Sequence, residues 1–110
     1  MPKTYHLGEF EELVMLTVAV LYGEAYGIAI INEMEKRLKR KVSIGGIQTV
    51  LRRLEKKGLL TSAFGEATKV RGGKRKRYFT VTRYGQKVLE RSKDQRMQMW
   101  DAIPKVAFTN

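Results

Sequence analysis

Apolar positions recur along the chain at helical spacing in four stretches, and between the third and fourth lies a pair of strand-like runs. The first stretch, 9–22, is built of good helix formers. Glu9, Glu11 and Glu12 stand in its first turn, where carboxylates complement the helix dipole. Its second half, 13–21, is apolar almost all round apart from Thr17, so it needs cover on more than one side. Gly23 and Gly27 bracket a short connection, after which Ile28, Ile31, Met34 and Leu38 predict a second helix. Lys36, Arg37, Lys39, Arg40 and Lys41 close it with cations at the negative end of the dipole.

Ser43 is a good N-cap for a third helix, whose apolar positions Ile44, Ile47, Val50, Leu51 and Leu54 fall on one side at about 100° per residue. Gly58 stops it. The opposite side carries Gly45, Thr49, Arg52 and Lys56, flanked by Gln48 and Arg53, with no acid among them; Glu55 lies nearer the buried stripe. Beyond it, 59–64 can be extended, and 77–82 is rich in aromatic and β-branched residues, so the two predict a hairpin. Thr82 caps a fourth helix, with Gly85 in its first turn at small cost, and Pro104 ends it a residue or two early. Leu89, Met97, Trp100 and Ile103 share one side of that helix, Met99 lies at its edge, and the rest of its surface is polar. The last residues, 105–110, carry no clear signal.

Length changes this picture little: 110 residues make one ordinary core, and a core this small gains from pairing with a second copy. Charge changes it more. Twenty-two Lys and Arg against eleven Asp and Glu give a formal charge of +11, which favours a polyanionic partner: nucleic acid, an anionic membrane or an acidic protein. The longest apolar run is far too short for a bilayer, and the acids near the start do not suit a signal peptide, so a cytoplasmic protein with no membrane partner is expected. Without cysteine there is no disulfide, thiolate metal site or thiol nucleophile. No nucleophile–base pair, metal-ligand spacing or phosphate-cradling loop is present either, so neither an enzyme nor a cofactor is expected.

The predicted order is helix, helix, helix, strand, basic turn, strand, helix. It is the plan of a mainly α fold with a small β-hairpin: a winged helix-turn-helix over 1–82, followed by a C-terminal dimerisation helix and tail over 83–110. In such a plan the third helix enters the major groove and the hairpin meets phosphates beside it. Ser43 opens that helix, and Gly45 and Gly46 let its backbone come close to DNA. Gln48 and Thr49 can hydrogen-bond base edges or phosphate, and Arg52 can pair with guanine or phosphate, with Arg53 and Lys56 adding charge. The hairpin contributes Arg71, Lys74, Arg75, Lys76 and Arg77 as long cations without fixed supports, suited to position the protein on sugar-phosphate rather than to read sequence.

At this helix and hairpin the chain resembles the PadR family. The matching segments are Leu7-Gly8-Glu9-Phe10-Glu11 opening the first helix and Ala25-Tyr26-Gly27 before the second. The others are Leu51-Arg52-Arg53-Leu54-Glu55-Lys56-Lys57-Gly58-Leu59 closing the third, then Arg71-Gly72-Gly73 and Arg77-Tyr78-Phe79-Thr80-Val81-Thr82 across the wing. The resemblance implies a transcriptional repressor that binds a roughly palindromic operator in double-stranded DNA as a homodimer. The C-terminal helix would join the subunits, and an effector is sometimes held between them. Many relatives carry tyrosine where this chain has Gln48, so a phenolic contact to DNA does not carry over. The short C-terminal part matches the family's smaller branch, whose multidrug-sensing members suggest a small aromatic effector stacking on Trp100.

Leu13, Leu16, Leu89, Met97, Trp100 and Ile103 are accordingly the residues expected at a dimer interface or effector site, with ordinary packing the simpler role for Trp100. His6, the one histidine, precedes the first helix and is expected to cap or to do nothing chemical. Tyr5, Tyr22, Tyr26 and Tyr84 are read as core or interface residues. Two other functions fit the same charge: a protein-interaction module on a winged-helix scaffold that binds an acidic partner, and a nonspecific nucleic-acid-binding protein. The acid-free side of the third helix argues against the first, and only a measured preference for one sequence separates the second.

Overall fold

The computed structural model describes residues 7–65 and 75–108. Tyr5, His6, Arg71, Gly72, Gly73 and Lys74, to which the sequence assigned roles, lie outside the described residues.

The elements follow the predicted order: α1 (Glu9–Val20), α2 (Gly27–Leu38), α3 (Ile44–Lys56), β1 (Leu60–Phe64), β2 (Arg77–Val81) and α4 (Arg83–Ala102), with a 3₁₀ turn at Lys105–Phe108. The strands pair antiparallel in a register that sets Leu60 opposite Val81 and Phe64 opposite Arg77. Met15, Val18, Ile30, Met34, Ile47, Leu51, Leu54, Leu59 and Leu60 form the core where α1, α2, α3 and the hairpin meet. Among the described residues no helix is long and apolar enough to cross a membrane.

Ser43 caps α3 as expected, its Oγ accepting from the Gly46 N–H at 3.0 Å. The helix ends where Gly58 turns left-handed at φ 81°, a conformation that a side chain resists, and the Leu59 N–H closes back on the Leu54 carbonyl at 3.0 Å. Ala25, read from sequence as part of a mere connection, is fully buried, and its carbonyl accepts from the Phe79 N–H at 2.8 Å. That rung fastens the start of α2 to the hairpin.

Gly85 does more than its position in a first turn suggested. A Cβ built there would lie 2.2 Å from the Leu59 carbonyl oxygen, so α4 can approach the α3–β1 corner only if this residue has no side chain. Thr82 completes the junction: its Oγ1 accepts from the Gly85 N–H at 2.9 Å and donates to the Gly58 carbonyl at 2.7 Å.

The three acids of α1 also have tertiary partners that dipole complementation alone did not foresee. Glu9 meets Arg40 at 2.8 Å, and Glu11 accepts from the Gly8 N–H and from Lys57 Nζ at 3.1 Å. Glu12, only 6% exposed, holds the Arg96 guanidinium at 2.8 Å, which braces α4 across α1. The cationic tail of α2 is thus partly bound within the chain, Arg37 pairing with Glu33 and Arg40 with Glu9.

Candidate nucleic-acid interface

The outward side of α3 is open. Gly45, Thr49, Arg52 and Lys56 are exposed, and a Cβ at Gly45 would meet nothing within 4 Å, so a flat ligand could come close to the backbone there. Gly46 differs: a Cβ would stand 3.0 Å from Ser43 Oγ, so this glycine leaves room for the cap rather than for DNA. The Thr49 hydroxyl donates to the Gly45 carbonyl at 2.9 Å, which leaves its oxygen free to accept but commits its proton. Arg53 leans to the α1 side, 3.8 Å from Glu11, and so stands apart from Arg52 and Lys56.

Beside this side of the helix runs a cleft of about 740 Å³ between α3, the start of α2 and β2. Gln48 and Arg52 line one wall, Arg75, Lys76 and Arg77 the other, and Tyr26, Ile28 and Ile44 the end near α2. Two of these cations have the supports that the sequence reading denied them. Ser62 Oγ donates to Glu55 Oε2 at 2.6 Å and accepts from Arg77 Nε at 2.8 Å, while the Arg77 guanidinium lies over the Phe64 ring at 4.7 Å. This relay engages Glu55, the one acid of the cleft wall among the described residues, and ties the hairpin to α3. Lys76 stands over the Tyr26 ring at 4.2 Å, and Tyr26 meets Tyr78 edge-on at 5.6 Å.

Ile44 corrects the expected stripe. Its place at the first turn puts it at the edge of the apolar side, and it is 43% exposed at the cleft, whereas Ile47, Val50, Leu51 and Leu54 are buried as predicted. Neither Ile28 nor Tyr26 was singled out from sequence for this surface. An isoleucine at the very start of a helix, just before the recognition element, was the available signal.

The residues expected at a dimer interface divide. Leu13 and Leu89 are half-buried against the chain's own core. Leu16, Met97 and Trp100 are exposed, as are Val20, Met99, Val106 and Phe108, and Ile103 is half-buried. Tyr22, expected in the core or an interface, is also exposed. The Trp100 ring, 61% exposed, has Phe108 at 6.0 Å, so the 3₁₀ turn that carried no sequence signal adds an aromatic to the end of α4.

Solved structures share this architecture. A PadR-like transcription factor from Bacteroides fragilis superposes with a TM-score of 0.70 at 26% identity, over 84% of this chain and 84% of its own. A PadR family transcriptional regulator from Eggerthella lenta gives 0.69 at 29% identity, over 93% and 88%. A PadR-like transcriptional regulator from Bacillus cereus shares the fold at 0.71 and 21% identity, over 92% and 93%. No curated protein matches the chain. The model of the transcriptional regulator PadR-like family matches residues 15–91, well over half the sequence, and the chain therefore belongs to that family of DNA-binding transcription factors, which are not enzymes.

Proposed function

We propose that the chain is a homodimeric repressor that recognises a roughly palindromic operator, with α3 in the major groove and the hairpin against the adjacent sugar-phosphate. The observation that carries this reading is the outward side of α3, exposed and without an acid, beside a wall of three cations on the hairpin. A groove about 12 Å wide admits such a helix, and Arg52 and Gln48 have the donors that guanine and adenine edges accept. Lys76 and Arg77, held by rings and by Ser62, suit phosphates at fixed positions.

A titration against operator selected from random duplex tests it. Affinity about a thousandfold above unselected duplex is expected at moderate salt, and a ratio near one would replace regulation with nonspecific coating of nucleic acid. The same selection reads palindromy and half-site spacing, which bear on the dimer.

The dimer would form through the apolar end of α4, where Met97, Trp100 and Ile103 lie, with Leu16 and Val20 of the partner's α1 as the complementary surface. Trp100 serves as its anchor, and a planar aromatic effector held between subunits would meet the same ring. Trp100→Ala is expected to weaken self-association at least tenfold, as buried interface tryptophans do, by sedimentation equilibrium. An unchanged dimer would remove α4 from the contact.

A further inference from the structure

We infer that Ile44 and Ile28 read thymine methyl groups, so that each operator half-site carries an A·T pair where the start of α3 enters the groove. The inference rests on the regulator reading above and adds the base class to it. Ile28 is 50% exposed and Ile44 43%, and both line the cleft that Arg52, Arg75, Lys76 and Arg77 make cationic. Isolated exposed apolar residues are ordinary on any surface, but two at one end of a cationic cleft are placed against whatever polyanion fills it.

Their local structure argues for a maintained position. Ile44 lies against Gly27, where a Cβ would come within 3.2 Å of Ile44 Cδ1, so the side chain is backed by the first turn of α2 rather than free to fold away. Gln48 stands one helical turn further along and lines the same cleft. On duplex DNA, adenine offers N7 and N6 to a glutamine amide, and the paired thymine adds a C5 methyl, the one apolar group on the major-groove edge. A polyanion without such a methyl, including RNA with uracil, offers Ile28 and Ile44 less apolar surface to bury by that one group.

The experiment uses the full chain and duplex selected from a random pool. Each thymine of the recovered half-site is replaced in turn by deoxyuridine, which removes only the methyl. Wild type is expected to lose about fourfold in affinity at one or two positions, the worth of one buried methyl. Ile44→Ala or Ile28→Ala should bind the thymine duplex correspondingly less well and be indifferent to deoxyuridine at its own position. Equal binding of thymine and deoxyuridine duplexes by wild type overturns the inference and leaves sequence-specific regulation intact. So does a deoxyuridine penalty that both alanine variants retain, since the methyl is then read elsewhere. Recovery of no preferred sequence by wild type overturns this inference together with the regulator reading.

Discussion

Gly85→Ala is expected to destabilise the chain by about 3 kcal/mol, the upper end of what forced overpacking costs. The added methyl would fall 2.2 Å from the Leu59 carbonyl oxygen and 3.0 Å from Val81 Cγ1. Backbone at a strand start cannot yield as the end of a flexible side chain can. Moving α4 outward instead would stretch the Gly85 N–H bond to Thr82 and the Thr82 bond to the Gly58 carbonyl. For a domain of this size the loss corresponds to a fall of roughly 15 °C in melting temperature. Gly45→Ala supplies the opposite sign: it sits in a helix with open space around its Cβ, so a gain of about 0.5–1 kcal/mol is expected. Thermal unfolding of both variants checks the pair, and a Gly85→Ala protein that melts with wild type would show that the junction has slack.

Arg52→Glu is expected to reduce operator affinity about a hundredfold or more. In the proposed complex each subunit of the dimer would lose a contact worth about 1–3 kcal/mol, and a carboxylate would then face phosphate or guanine acceptors at the centre of the α3 surface. Arg91→Glu is the matched control, since Arg91 is exposed on α4 outside the cleft and the net charge changes equally. At physiological salt, screening over about 8 Å leaves a remote reversal with little effect. Binding titrations in which both variants lose affinity alike would mean that overall charge, not α3, holds the DNA. Unchanged DNA binding by Arg52→Glu, with loss of an acidic protein partner, would favour the interaction module.

Much of the fold could be read locally because its determinants are local. Ser43 and Thr82 announce α3 and α4 by chemistry acting within three residues, and the apolar spacing of 47, 50, 51 and 54 fixes the buried side of α3. What stayed hidden depends on groups far along the chain. The need for Gly85 is set by a carbonyl 26 residues earlier, and the rung from Ala25 to Phe79 joins segments that no periodicity links. The partners of Glu9, Glu11 and Glu12 are far along the chain: Arg40 just past the end of α2, Lys57 just past the end of α3, and Arg96 on α4.

The candidate surface divides in the same way. Arg52, Lys56, Thr49 and Gly45 were legible from the helical wheel, since exposure opposite a wide apolar stripe follows from geometry. Arg53 and Ile44 stand at the stripe's two margins, where the wheel is indecisive and neighbours decide. Glu11 draws Arg53 toward α1, and Gly27 leaves Ile44 room at the cleft.

The way α4 is mounted bears on how two copies would span DNA. It is seated at Gly85 and again at Arg96, about 16 Å further along at 1.5 Å per residue, so it behaves as a stiff strut. A rotation of 10° about the first seat sweeps its far end, about 25 Å away, through roughly 4 Å. That displacement exceeds the ~3.4 Å step between neighbouring base pairs. In the proposed dimer, a small adjustment beneath Glu12 would therefore move the two reading heads into or out of phase with the duplex while each head keeps its own shape.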